Sequence, residues 1–181
     1  MVIMLLGAGF EESEATVPLD LLRRAGVEVS TAALAGTQVT GGHGITVTAD
    51  LPLSQVDGEK VEMVILPGGL GGVAAISQSE QALKLIGQVY RAGGYVAAIC
   101  AGPTVLASLG ITDGRRAVCY PGMEGEMGQA CMQPGATVAV DGNVVTGLAA
   151  GAAFDFGLKL VELLRGAAAA EEVRHAVHYR C

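Results

Sequence analysis

The sequence predicts an α/β domain in which a mostly parallel sheet is covered by helices on both faces. Two observations lead there. Short apolar runs alternate along the chain with segments whose apolar residues recur at helical spacing, the order that βαβ units require. The apolar residues are mainly Val, Leu, Ile and Ala, with no Trp and 4% aromatics, a palette suited to parallel strands buried under helices. At 181 residues the chain can bury a core of its own, and no linker or internal repeat divides it, so a single domain over residues 1–181 is expected.

Residues 2–6 are an apolar run ending in Gly7-Ala-Gly9 and read as the first buried strand. Residues 14–25 place Ala15, Leu19 and Leu22 at helical spacing, with Ser13 as capping candidate and Gly26 as the stop. Residues 27–34 read as a second strand, and 37–48 as a hairpin around Gly41-Gly42-His43-Gly44. Residues 61–66 read as a third core strand running into Pro67-Gly-Gly-Leu-Gly-Gly72, a flexible loop. A helix over 78–91 is closed by Gly93-Gly94, a strand follows at 95–99, and another helix at 102–109. A short strand at 117–120 stops at Pro121-Gly122. Residues 137–140 and 144–146 flank Asp141-Gly142-Asn143, a hairpin turn signal. Residues 152–164 and 168–177 read as closing helices.

Composition narrows the function classes. Apolar residues make up 51% and charged residues 16%, which leaves little charge to cover a surface and favours a homodimer. A net charge of −7 argues against nucleic acid or an anionic membrane as partner. No apolar run reaches the roughly 18 residues of a membrane span. Met1-Val-Ile-Met-Leu-Leu6 has no basic start and reads as a strand rather than a signal peptide, so a cytoplasmic protein is expected. Cys100, Cys119, Cys131 and Cys181 are widely spaced with no CxxC pair, which reads as reduced thiols and argues against a zinc site.

The chemistry concentrates at Val96-Ala-Ala-Ile-Cys100-Ala-Gly-Pro-Thr104. An apolar strand ends at Ile99, and Gly102-Pro103 opens a helix. Cys100 lies between them, flanked two positions either side by the small residues Ala98 and Gly102, the pattern A-x-C-x-G of a nucleophile elbow. Such a turn projects the sulfur above the C-terminal strand ends, where open α/β folds bind ligands. The following helix N-terminus favours thiolate, so Cys100 is expected to be mostly ionised at neutral pH.

Glu11, Glu12 and Glu14 follow the first strand. Glu11 and Glu12 read as serving the helix dipole, whereas Glu14 falls one turn in, where its carboxyl can point towards Cys100. A carboxyl beside a thiolate is pushed towards its protonated form and can pass a proton to and from sulfur. Gly68 and Gly69 allow backbone N–H groups to approach a bound oxygen closely.

Four stretches together resemble the ThiJ/PfpI family of the class I glutamine-amidotransferase-like superfamily. They are Gly9-Phe-Glu-Glu-Ser-Glu14, Leu66-Pro-Gly-Gly69, Ala97-Ala-Ile-Cys-Ala-Gly-Pro103 and Phe154-Asp-Phe-Gly-Leu-Lys159. The resemblance implies a flavodoxin-like three-layer sandwich, usually homodimeric, that works without metal or organic cofactor. It implies Cys100 as nucleophile, Glu14 as its partner carboxyl, and the N–H groups of Gly69 and Ala101 as the lining of an oxyanion pocket. In the deglycase branch it implies chemistry on methylglyoxal, glyoxal or early glycation adducts. It implies as the alternative a non-enzymatic oxidative-stress sensor or chaperone that uses the same oxidisable cysteine.

This chain departs from that pattern. Tyr120 stands where the best-known members carry a histidine near the nucleophile. Ala101 follows the cysteine where the protease-like branch has histidine, which argues against a peptidase. The stretch 146–153 replaces a more polar, proline-containing loop. Cys119 is a candidate resolving thiol or a small strand residue. His43 is a candidate contact to the partner subunit's pocket or an exposed loop residue. Arg23 and Arg24 pair with carboxylates at a dimer face or are solvated. His175, His178 and Cys181 have the helical spacing of a weak metal candidate.

Overall fold

The computed structural model describes residues 1–180. The strands are β1 (Val2–Leu6), β2 (Val29–Ala33), β3 (Gln38–Thr40), β4 (Thr46–Thr48), β5 (Leu51–Pro52), β6 (Met63–Leu66), β7 (Tyr95–Ile99), β8 (Arg116–Ala117), β9 (Cys131–Met132), β10 (Val138–Asp141) and β11 (Val144–Gly147). The helices are α1 (Glu12–Arg24), α2 (Leu70–Gln78), α3 (Glu80–Arg91), α4 (Pro103–Ser108), α5 (Ala153–Arg165) and α6 (Ala167–Ala176).

Seven strands form the central sheet in the order β10-β11-β7-β6-β1-β2-β5. Every neighbour pair is parallel except β10 with β11, the hairpin at Asp141-Gly142-Asn143. The period of two in a strand sorts alternate residues to opposite faces. Val2, Met4 and Leu6 of β1 join one core with Leu21, Leu22, Phe156 and Leu160, under α1 and α5. Ile3 and Leu5 join the other with Ile76, Leu85, Ile86 and Leu106, under α2, α3 and α4. Small residues set the layer spacing. A Cβ on Gly157 of α5 would come within 2.7 Å of Leu21 Cδ1 and 3.0 Å of the Pro18 Cα in α1.

Several boundaries differ from the sequence reading. Helix α1 starts two residues early, with Glu11 at the N-cap and no side-chain cap. Ser13 lies inside the helix, its hydroxyl donating to Glu11 Oε1 at 3.1 Å. The glycine loop after β6 is shorter than expected, because α2 begins at Leu70. Gly71 and Gly72 are helical and lack side chains because the β1–α1 loop crosses them: a Cβ on Gly72 would lie 2.8 Å from Phe10 Cα. The helix expected over 78–91 is two helices broken at Ser79, whose hydroxyl accepts from the Ala82 N–H at 3.2 Å and caps α3. The strand expected at 117–120 is confined to β8, which pairs in parallel with the unforeseen β9.

The β3–β4 hairpin is antiparallel, as its glycines predict, and it is fastened to the start of α1. Glu12 is 6% exposed. Its Oε1 accepts from the backbone N–H groups of His43 at 2.8 Å and Ile45 at 3.4 Å, while Oε2 lies 2.9 Å from His43 Nδ1. Gly41 leaves room for this carboxyl, since a Cβ there would run into it. Burial alone would raise the Glu12 pKa, but the hydrogen bonds from the His43 side chain, His43 N–H and Ile45 N–H overcome it and hold the carboxyl at about 2. A pKa depressed on folding stabilises above the unfolded value of 4.5 and loses that contribution as pH falls to about 2. Glu12→Gln should therefore destabilise by about 1–3 kcal/mol near neutral pH, with the difference from wild type shrinking below about pH 4.5. Urea unfolding across pH measures this; a difference that stays constant down to pH 2 would contradict the assignment.

Candidate active site

Cys100 occupies the junction between β7 and α4 with a φ of +65°, in the left-handed region that residues with a Cβ seldom adopt. Three backbone bonds hold it there. Its N–H donates to the Gly147 carbonyl at 2.9 Å, its carbonyl accepts from the Tyr120 N–H at 2.8 Å, and the Gly102 N–H turns back to the Ile99 carbonyl at 2.9 Å. Gly102 is required by crowding: a Cβ there would lie 2.8 Å from the Leu66 carbonyl oxygen and 3.0 Å from that of Ile99. The A-x-C-x-G pattern is thus the sequence trace of a sharp turn between two buried elements.

Glu14, 1% exposed, reaches from the first turn of α1 across the strand ends to Cys100. Its carboxyl is hydrogen-bonded to the Cys100 thiol. Its Oε2 also accepts from the Gly68 N–H at 2.8 Å. Gly68, expected to present its N–H to a bound oxygen, presents it to Glu14 instead. A Cβ there would lie 2.5 Å from Glu14 Oε2, 2.7 Å from Cys100 Cβ and 3.1 Å from Cys100 Sγ, so the two reacting groups meet only because that side chain is missing. Gly69 has φ +84°, and a Cβ on it would collide with the Gly9 carbonyl and the Glu11 N–H. The N–H groups of Ala101 and Gly69 both hydrogen-bond to the Cys100 sulfur.

Burial dominates the electrostatics. It pushes the Glu14 carboxyl up to about 7, against the bonds from Cys100 and Gly68 that favour its charged form. Burial and then the negative charge of Glu14 push the Cys100 thiol up to about 12, against the Ala101 and Gly69 N–H groups that favour thiolate. The helix start and local N–H groups alone, which would leave Cys100 mostly ionised at neutral pH, are thus opposed by burial and by any charge on Glu14. Two negative charges do not coexist here, so between about 7 and about 12 the pair holds one proton and one charge. The sulfur carries that charge only while Glu14 keeps the proton.

Cys100 opens onto a cleft of about 570 Å³ lined also by Glu11, His43, Gly69, Leu70, Ala101, Tyr120 and Met123. Tyr120 lines the mouth with its side chain about half exposed. His43 lies at the opposite rim, its ring against Glu12 and 3.3 Å from Glu11 Oε2. The hydrogen bond from Glu12, then the charges of Glu11 and Glu12, raise the His43 pKa. Glu11, Glu12 and His43 are, among the described residues, the group whose ligand atoms lie close enough to hold a metal ion, within 4.8 Å of one another. The bonds within the group fasten the hairpin to α1.

The remaining candidates lie outside the cleft. Cys119 is buried with Ala117 and Met127, and its thiol, 3.5 Å from the Tyr120 carbonyl, is pushed up to about 11 by burial and by Glu124 and Glu126. Arg23 pairs with Asp50 at 2.7 Å and Arg24 with Asp20 at 2.7 Å, both pairs partly exposed. His175 pairs with Glu171 at 2.8 Å, while His178 has φ +53° and lies beyond α6, so the helical spacing proposed for a metal does not hold. Cys181 lies outside the described residues. No helix among the described residues is long and apolar enough to cross a membrane.

The chain is similar to known proteins over most of its length. Residues 1–163 match the model of the DJ-1/PfpI family. The protein dj-1beta of Drosophila melanogaster is 38% identical over 173 residues, covering 94% of this chain and 92% of its own length. A deglycase of Pyrococcus abyssi is 33% identical over 165 residues, covering 91% of this chain and 99% of its own. Among solved structures, Drosophila DJ-1beta superposes with a TM-score of 0.95 at 36% identity, covering 99% of this chain and 98% of that one. An oxidised DJ-1 of Toxoplasma gondii superposes with a TM-score of 0.94 at 31% identity, with the same coverage. With its parallel sheet, flavodoxin-like architecture and paired Cys100 and Glu14, the chain belongs to the DJ-1/PfpI family.

Proposed function

We propose that this chain is a cysteine-dependent enzyme acting on small α-oxoaldehydes such as methylglyoxal, or on their early glycation adducts. The observation that carries the reading is the hydrogen-bonded pair of Cys100 and Glu14, with two N–H groups aimed at the sulfur. The singly charged pair has its charge on sulfur in the reactive tautomer. The Ala101 and Gly69 N–H groups stabilise the sulfur charge in that tautomer, and a protonated Glu14 removes the charge that opposes it.

The thiolate attacks the aldehyde carbon and forms the S–C bond of a hemithioacetal. The new oxyanion accepts hydrogen bonds from the Gly69 and Ala101 N–H groups and takes the proton that Glu14 held. Glu14, now ionised, removes the proton on the former aldehyde carbon, the hydroxyl proton passes through water to the neighbouring carbonyl oxygen, and the resulting enediol takes the first proton back from Glu14 at the neighbouring carbon, giving a thioester. Water cleaves the thioester to lactate and thiol, the thiol proton returns to Glu14 to restore the starting pair, and the acid proton of the product goes to solvent. The aldehyde carbon is oxidised and the ketone carbon reduced, so the electrons balance within the substrate. Water serves where relatives carry a histidine, which makes turnover slow. The same proposal takes the protein as a cytoplasmic homodimer, supported by the family and by the scarcity of charge.

A second reading uses the same sulfur. An oxidised DJ-1 from Toxoplasma gondii favours an oxidative-stress sensor or chaperone, in which Cys100 is converted to a sulfinate held by Glu14 and the backbone donors. Mild peroxide should then add two oxygens to Cys100 alone, whereas even oxidation of all the cysteines by peptide mass spectrometry contradicts it.

For the enzyme, wild type should form lactate from methylglyoxal, with Cys100→Ala at background and Glu14→Gln reduced at least about a hundredfold. Equal lactate from wild type and Cys100→Ala defeats the reading. The pairing also fixes a pH profile. Alkylation of Cys100 should rise with pH through about 7, where the pair loses its first proton, and then level off. Glu14→Gln removes the charge that opposes ionisation of the sulfur, so its thiol should titrate in a single step well below 12. A wild-type profile that first rises near 12, or one that Glu14→Gln leaves unchanged, contradicts the shared proton.

A further inference from the structure

We infer that the cleft selects α-oxoaldehydes bearing a large uncharged apolar substituent, of the size of an aryl ring, with Leu70 and Tyr120 as the specificity-determining residues. The inference rests on the proposed function and names its substrate class.

Size is the first observation. A methyl-substituted oxoaldehyde has five heavy atoms and fills the space of a few waters, on the order of 100–150 Å³ at about 30 Å³ each. The cleft offers about 570 Å³, so most of it lies beyond any contact that such a small substrate makes. The character of that space is the second observation. Leu70 is 74% exposed and Tyr120 48% exposed, although both could have been polar without harm to either core. Both line the same cleft as Cys100, together with Met123. Large apolar groups concentrated beside a reactive centre are the ordinary signature of a ligand wall.

The third observation is rigid placement. Leu70 is the first residue of α2 and follows Gly69, whose N–H points at the sulfur. Tyr120 is held by its own N–H to the Cys100 carbonyl at 2.8 Å, and the Met123 N–H donates to the Tyr120 carbonyl at 3.0 Å. The apolar wall is thus tied to the reacting atoms by one peptide unit on one side and one hydrogen bond on the other. A substituent seated on it fixes the aldehyde carbon relative to sulfur. Across the cleft, Glu11 and His43 form a polar rim, and the Glu11 carboxylate disfavours an anionic substituent.

The test compares kcat/KM for phenylglyoxal and methylglyoxal in wild type, Leu70→Ser, Tyr120→Ser and Leu70→Met. Intrinsic reactivity cancels when the ratio is compared between variants. The phenyl-to-methyl ratio should fall about tenfold or more in Leu70→Ser and Tyr120→Ser, chiefly through KM, and be kept in Leu70→Met. A second readout needs no turnover: acetophenone, which has no aldehyde, should slow alkylation of Cys100 at lower concentration than acetone, and Leu70→Ser should erase that difference. An unchanged ratio, or equal protection by the two ketones, overturns the apolar wall. Selective protection without turnover of either aldehyde upholds the wall and overturns the enzymatic reading.

Discussion

Cys100 holds a left-handed backbone conformation, a strain of order 1–3 kcal/mol that persists only where the surroundings over-determine it. Here the surroundings are the middle of the sheet. β7 is paired on both edges, by β6 and β11, and both cores close over its alternate residues. The strand cannot relax without breaking those ladders, and the turn is fastened again by the bonds to Gly147 and from Tyr120. The sulfur's position therefore derives from the topology of the whole fold.

The same geometry sets the electrostatics. Glu14 arrives on α1, whose packing against α5 is close because Gly157 has no side chain to separate them. It meets Cys100 in the space that Gly68 leaves open. A carboxyl and a thiol in one dry pocket accommodate one negative charge, and the backbone N–H groups of Gly68, Gly69 and Ala101 decide where it sits. Strain, close packing and burial thus converge on one proton shared between two side chains. The rim is built separately: Glu12 and His43 pin the hairpin beside the mouth without entering that pair.

Much of this was legible in the sequence because it is local. The strand-turn-helix around Cys100 is written in five consecutive residues, and Glu14 lies one turn into the helix that follows the first strand. The mostly parallel sheet follows from the alternation of elements. What was hidden depends on residues distant in sequence. Glu12 looks like any acidic residue at a helix start, and its burial is set by a hairpin 31 residues away at His43. The helical state of Gly71 and Gly72 is imposed by the crossing of the β1–α1 loop, since glycine by itself favours the loop that the sequence suggests. The short β9 pairs only because Arg116 and Ala117 present an edge to it. The desolvation that opposes ionisation of Cys100 is not visible in a motif, whereas a helix start is.

The central claim is that Glu14 keeps a proton while Cys100 carries the charge. Difference infrared spectra of wild type against Glu14→Gln, recorded with ultraviolet absorbance of the thiolate in wild type and Cys100→Ser, test it at one pH just above 7. A protonated carboxyl band assigned to Glu14 and a thiolate absorbance assigned to Cys100 are expected together. A carboxylate band from Glu14 with no thiolate absorbance would contradict it, because the proton would then reside on sulfur.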